Sequence, residues 1–243
     1  AEGGARAVVL ASRSGALPKH ATAGCDWHVA RCDNAQARDV GGLVASIAQD
    51  CAPPLRGVWH AAGVLSDKLA LAMDASSLRY VYGPKTHGAW LLQQSCASHP
   101  LEACVLFSSI AALLGSAGQA NYSAANCCLD ALAGRRTASA QAAASMQFGP
   151  WGVVGMAVTA AGLDAKLEEG GVGLLSLQQG YAAFQASVHP RLPGGLLAVL
   201  VVRWSTYLVA TKAEPPFLHE YVSRFAWKGA SAAAAARGAA KAV

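Results

Sequence analysis

The chain has 243 residues, a formal net charge of +5, and 53% hydrophobic against 14% charged residues. That length suits one α/β domain, or at most two small ones, with a sizeable core, and the composition is too apolar for a disordered chain. The positive charge is thinly spread: Arg135–Arg136, the only adjacent basic pair, reads as a solvated helix end, and no basic stripe interleaved with aromatics points to nucleic acid.

In chain order, Arg6 to Ala11 reads as a strand, followed by the turn Ser12-Arg13-Ser14-Gly15. Asp26 to Ala30 is a second short strand, ending near Cys32-Asp33. From Ala35 to Gln49, Val40, Leu43, Val44 and Ile47 keep a helical period. Gly57 to His60 is a strand running into Ala61-Ala62-Gly63, Ser76 to Cys96 is helical, and Cys104 to Phe107 is a strand ending in two serines. A Gly-rich loop and a further helix follow. Met146 to Phe148 is a strand running into Gly149-Pro150-Trp151-Gly152. A polar, Gly-containing segment to about Gly173, a helix near Leu177 to Val188 and a strand from Leu196 to Trp204 complete the alternation. Strands alternating with helices predict a Rossmann-like, doubly wound parallel sheet with helices on both faces.

The aliphatic run Leu196 to Val202 is too short to span a bilayer, and no secretion-type leader opens the chain. Seven cysteines lie scattered through apolar segments without metal-type spacing, which suits reduced core thiols in an intracellular, cytoplasmic protein.

In this fold class ligands bind at the carboxyl ends of the strands. Arg13, Asp33, His60, Ser109 and the turn at Gly149 each fall just after a strand, so polar groups gather at that end. The stretch Phe107 to Ala133 adds more. Tyr122 and Asn126 are four apart and share a helix face, while Ala125, Leu129 and Leu132 mark the core side. A hydroxyl at a strand end, facing a phenol and an amide, suits proton handling. Lys85 falls in phase with Leu78, Val81 and Leu92, so its ammonium must either snorkel out or meet a partner.

Three pieces, GVWHAAGVLSDK, PKTHGAW and FSSIAALLGSAGQANYSAANCCLDALA, resemble the ketoreductase domain of modular polyketide synthases, a branch of the short-chain dehydrogenase/reductases. The resemblance runs from about Ala7 to Trp204. Matched residue by residue, it implies Tyr122 as the catalytic tyrosine, Ser109 as the serine, Asn126 as the asparagine and Lys85 as the lysine. Other short-chain reductases place the lysine four after the tyrosine. Here Asn126 holds that place and the lysine precedes the pair, which is similar to the polyketide branch specifically.

The resemblance further implies NADPH. Arg13, beside Ser12, would meet the 2′-phosphate, Asp33 the adenine, and His60-Ala61-Ala62-Gly63 the ribose side. Pro150-Trp151-Gly152 would pack near the nicotinamide, and about Val153 to Gly173 would form a mobile substrate lid. The implied partner is an acyl carrier protein bearing a phosphopantetheine-linked β-ketoacyl chain, with other domains of the same synthase. Leu65-Ser66-Asp67 partly matches a Leu-Asp-Asp motif of the subtype giving D-alcohols, and Leu114 stands where the opposite subtype carries tryptophan.

The family's first strand and Gly-rich dinucleotide turn have no counterpart here, so the chain is expected to be an N-terminally truncated piece that binds NADPH poorly alone. The expected organisation is a ketoreductase domain over 1–210, an extension over 211–228 and an Ala-rich linker over 229–243. Two readings compete with polyketide ketoreduction: a fatty-acid-type 3-oxoacyl reductase, and a non-catalytic scaffold or fragment.

Overall fold

The computed structural model describes residues 5–16, 25–50, 54–152, 163–188, 195–211 and 218. They divide into two compact units, one of 1–148 with 184–198 and the other of 149–183 with 199–243.

In the first unit, β1 (Ala7–Ser12) and β2 (Asp26–Arg31) form a parallel pair, with Ala7 opposite Asp26 and Ser12 opposite Arg31. Gly15, at φ 63°, makes the turn after β1, and its N–H donates to the Ser12 carbonyl at 3.2 Å. Helix α1 (Ala37–Asp50) follows β2 and buries Val40 and Val44. A second ladder takes the order β3 (Gly57–His60), β4 (Ala103–Ser109), β5 (Ala144–Phe148), β7 (Gly195–Val199), parallel where β4 meets β3 and β5. β5 is buried at all five positions. It is a strand covered on both faces, and its two buried polar side chains, Ser145 and Gln147, are satisfied by Asp130.

Between β3 and β4 runs one interrupted helix. It opens at α2 (Ala75–Tyr82), where Asp74 accepts the Ser77 N–H at 2.7 Å and the Ser77 hydroxyl accepts the Asp74 N–H at 3.3 Å. It passes through a π turn over Gly83–His87 and continues as α3 (Gly88–Ser95). Pro84 explains the interruption. It has no N–H to return to the preceding turn, and its ring widens the coil. The Gly88 N–H reaches back to the Gly83 carbonyl.

After β4 comes a single turn, α4 (Ala111–Leu114), then α5 (Ala120–Ala138), whose buried face carries Tyr122, Ala125, Asn126, Leu129, Ala133 and Arg136. Leu129 and Ala133 pack with Leu106, Cys104, Ala89 and Ala143. Val81, Ala111 and Ala125 enclose the Tyr122 ring.

The second unit holds α6 (Leu163–Glu169), β6 (Val172–Gly173), β8 (Val201–Val202) and α8 (Trp204–Thr211), with β6 and β8 antiparallel. Helix α7 (Leu177–Ser187) begins in this unit and ends in the first.

Four sequence expectations change. The run Leu196 to Trp204 is not one strand: β7 ends at Val199, β8 pairs elsewhere, and Trp204 opens α8. The polar segment before Gly173 contains α6. Arg136 is not solvated but 7% exposed, donating to the Ala142 carbonyl at 3.1 Å and to Gln93, while Arg135 lies over the Trp90 ring at 5.9 Å. Cys32, Cys96 and Cys104 are buried free thiols as expected, whereas Cys127 is exposed. The lid expected over 153–173 lies outside the described residues up to 162, as do the extension and linker apart from Thr211 and Leu218. No helix among the described residues is long and apolar enough to cross a membrane.

Candidate active site

Three segments deliver the polar groups. The last residues of β4 bring Ser108 and Ser109, the first turns of α5 bring Tyr122 and Asn126, and the π turn brings Lys85. The Lys85 side chain does not snorkel. It is 3% exposed, and Nζ donates to Asn126 Oδ1 at 2.7 Å and to the Phe107 carbonyl at 2.8 Å. The same ammonium sits over the Tyr122 ring, 5.2 Å from its centre. An ammonium has three N–H donors, and the third has no hydrogen-bond partner among the described residues.

Asn126 is fully buried and links both partners, since its Nδ2 donates to the Tyr122 carbonyl at 2.8 Å. Ser109 Oγ accepts the Ala111 N–H at 3.2 Å, which leaves its own proton to donate elsewhere. Burial lowers the Lys85 pKa to about 8, and the field of Asp130 opposes that fall. Burial also pushes the Tyr122 phenol upward, against hydrogen bonds from Asn126 and Ser109 that favour phenolate.

The Lys85 ammonium does not set the direction of that shift. The reason is geometric. Nζ is held by Asn126 and Phe107 over the ring face, and desolvation of the hydroxyl dominates.

The His60 side chain is buried. It is 2% exposed, with Nε2 at 2.9 Å from the Lys85 carbonyl and Nδ1 at 3.3 Å from Asn34 Nδ2. The network assigns the tautomer: Nε2–H donates to the carbonyl, and Nδ1 accepts from the amide. His60 thus braces the π turn that carries Lys85, a role the sequence did not reveal; only Pro84 inside a helical pattern hinted at it. The imidazole stays neutral, its pKa lowered to about 4 chiefly by burial.

The loop after β3 also touches this region. A Cβ on Gly63 would stand 3.0 Å from Lys85 Cε, so only glycine lets that backbone pass so close. Asn121 Nδ2 donates to the Ser66 carbonyl at 2.9 Å, and Gln119 Nε2 to Asp67 Oδ2 at 3.0 Å. The Leu65-Ser66-Asp67 loop is thereby fastened to the start of the tyrosine helix.

A family model described as a KR domain matches residues 1–153. The chain belongs to the ketoreductase (KR) domain family of polyketide synthases. The spectinabilin polyketide synthase system protein NorB of Streptomyces orinoci is 40% identical over 191 residues, 77% of this chain and 8% of that protein. The phenolphthiocerol synthesis polyketide synthase type I Pks15/1 of Mycobacterium bovis is 37% identical over 207 residues, covering 80% of this chain and 10% of that one. Among solved structures, the PlmKR1 ketoreductase from the first module of phoslactomycin biosynthesis in Streptomyces sp. HK803 superimposes with a TM-score of 0.79 at 32% identity, covering 88% of this chain and 50% of that one. A structure of an A1-type ketoreductase gives 0.81 at 31% identity, covering 93% and 49%. This KR chain therefore spans 8% to 10% of those synthases and about half of those ketoreductase chains.

The residues matched to the cofactor fall in several places. Arg13 is exposed in the turn after β1, beside Ser12, whose hydroxyl accepts the Gly15 N–H at 3.1 Å. Asp33 Oδ1 accepts the Ala35 N–H at 3.0 Å, closing the turn into α1, and Asn34 beside it reaches His60 on β3. Ala61, Ala62 and Gly63 follow the end of β3 without regular secondary structure. Pro150 and Trp151 belong to the second unit, where the Pro150 carbonyl accepts the Leu175 N–H at 2.7 Å and Trp151 bridges to Leu175. An exposed guanidinium with no hydrogen bond or ion pair among the described residues suits a ribose phosphate, and the close-packed Gly63 backbone suits a sugar beside Lys85. The residues present fit the adenosine and ribose parts of a dinucleotide.

Proposed function

We propose that this chain reduces a β-ketoacyl thioester, carried on the phosphopantetheine arm of an acyl carrier protein, to the β-hydroxyacyl thioester during polyketide assembly. The observation that carries this reading is the meeting of buried Lys85, Asn126 and Tyr122 with half-buried Ser109 in one cluster. NADPH, when bound, supplies the hydride. Arg13 and Asp33 would hold its adenosine end, and Lys85, through its third N–H, the ribose beside the reacting carbon.

The protein's own share is electrostatic and proton-handling. Negative charge develops on the ketone oxygen only as the carbonyl carbon is reduced, so donors aimed at that oxygen favour the transition state over the bound ketone. Ser109 and Tyr122 supply the O–H donors. Tyr122, its pKa raised by burial, stays protonated at neutral pH and delivers its proton to the forming alkoxide, which is far more basic than phenolate. As phenolate develops, the Lys85 ammonium over the ring and the Asn126 amide stabilise it. Asn126 also fixes the ammonium and ties it to the tyrosine backbone. Leu114 and the Leu65-Ser66-Asp67 loop favour the D-configured alcohol.

The test is Tyr122→Phe in the synthase polypeptide that carries this domain. Loss of a general acid that is also an oxyanion donor is expected to lower kcat by about 10²- to 10⁴-fold, with NADPH binding retained. Reduction at the parental rate would overturn the assignment. The synthase polypeptide is the sample of choice, because the chain spans about half the length of the ketoreductase chains it matches.

A further inference from the structure

Lys85 is a buried cation with no carboxylate within ion-pair distance among the described residues. Its direct partners, Asn126 and a backbone carbonyl, are neutral. A buried ammonium left without a counter-charge tends to lose its proton, so the source of the compensating charge matters.

Asp130 lies one turn beyond Asn126 on α5, hence on the same helix face, about 5–6 Å away between Cβ atoms. Its carboxylate is fixed at both oxygens. Oδ1 accepts the Ser145 hydroxyl at 2.6 Å and Oδ2 accepts Gln147 Nε2 at 2.8 Å, both from β5. Ser145 and Gln147 are buried and carry no charge, so β5 orients the carboxylate without neutralising it. Nor does the carboxylate form an ion pair among the described residues.

We propose that Asp130 is the positioning residue that supplies the counter-charge of this site: pinned by Ser145 and Gln147, it keeps Lys85 in its ammonium form from one helical turn away. The inference rests on the reductase reading only for its consequence, because the electrostatic relation exists whether or not the site turns over. The effect of the carboxylate on Lys85 is in the expected sense, opposing the fall that burial imposes. The other titratable groups around the pair are few. His60 on β3 is neutral above pH about 4. On α5, Tyr122 is pushed upward by burial, and Cys127, though exposed, by partial desolvation of its thiol and then by the Asp130 carboxylate, so both stay neutral at neutral pH. Asp67, from the loop after β3, acts on Tyr122. Below the Lys85 midpoint near pH 8, the opposed charges here are the Lys85 ammonium and the Asp130 carboxylate.

The test is the titration of the Lys85 side chain, followed by NMR of 13C-labelled lysine in the full 243-residue chain, with the resonance assigned by its loss in Lys85→Met. Asp130→Asn keeps the shape and a hydrogen-bonding amide but removes the charge. It is expected to lower the Lys85 midpoint by about one unit or more. Ser145→Ala removes one hydrogen bond, keeps the charge, and should leave the midpoint within a few tenths of a unit. Should Asp130→Asn fold poorly, Asp130→Ser, whose hydroxyl can still bond to β5, must give the same downward shift. An unmoved midpoint in the folded uncharged variant overturns the proposal, and so does an equal shift in Ser145→Ala.

In the synthase, the alkaline limb of the kcat profile should move down with the midpoint. From a parental pKa of about 8, a one-unit fall predicts about fivefold loss of kcat at pH 8, with KM for the carrier-bound substrate little changed. A midpoint that moves while the rate profile stays put would uphold the counter-charge and count against the role given to Lys85 in reduction.

Discussion

His60 sits in the interior with Nδ1 taken by Asn34 and Nε2 by the Lys85 carbonyl, and its pKa falls from an ordinary 6.5 to about 4. A group whose folded pKa is depressed adds stability that is complete above its unfolded pKa and is lost as pH falls towards the folded one. For His60 the window is pH 6.5 down to 4, because there the unfolded chain binds a proton that the folded chain refuses. Over the whole window this amounts to roughly 3 kcal/mol. Urea unfolding of the chain at pH 7 and pH 4.5 should therefore show a marked acid loss, and His60→Gln should flatten it. Equal slopes for the two proteins would mean that His60 is not the group responsible. The residue scale is also where sequence reading was least complete. The polar position of His60 at the end of a strand was legible, but not that both ring nitrogens face inward.

The π turn is the element on which the site depends, and its fit leaves little slack. A Cβ on Gly88 would meet Asn34 Cβ and the Asn34 carbonyl at 3.0 Å and His60 Cε1 at 3.3 Å. Gly88→Ala is thus expected to destabilise by about 1–3 kcal/mol, through overpacking against backbone that cannot swing aside. Gly41 in α1 has open space around its Cα, so Gly41→Ala should stabilise by about 0.5–1 kcal/mol. Thermal or denaturant melts of the two variants would check the pair, and a similar response from both would refute the packing account. Sequence periodicity found this helix as a single stretch and put Lys85 in its apolar stripe. It could not show the widened turn, because a π turn leaves no mark of its own in the hydrophobic pattern; nor is the predicted stripe uniformly buried, since Val81 is fully buried while Leu78 is 40% exposed. The C-terminal aliphatic run failed for a different reason. Hydrophobicity marks which residues avoid water, whereas the pairing partner decides where a strand stops, and β7 and β8 belong to different ladders.

Across the whole molecule, the strands other than β6 and β8 fall into two ladders, β1 with β2 and β3 through β7 by way of β4 and β5, with no described strand joining them. β4 is flanked on both sides, while β3 has a ladder partner on one side only among the described residues. Hydrogen exchange should follow that difference. β4 amides are expected to open only with global unfolding, and the outward-facing amides of β3 to exchange orders of magnitude faster. Uniform protection of the two strands would show β3 to be paired on both edges.

The alternation of strands and helices, the gathering of polar residues after strand ends, and the spacing of Tyr122 and Asn126 were all legible in the sequence. Each depends on local periodicity or on residues a few positions apart. The tertiary structure alone decided how the segments meet: that the Lys85 ammonium is buried against Asn126 and the Phe107 carbonyl, that His60 braces its turn, and that Asp130 is held by β5. These contacts join residues 15 to 41 apart along the chain. No period in the sequence encodes such distances, and the sense of the Tyr122 shift follows from desolvation, which only packing sets.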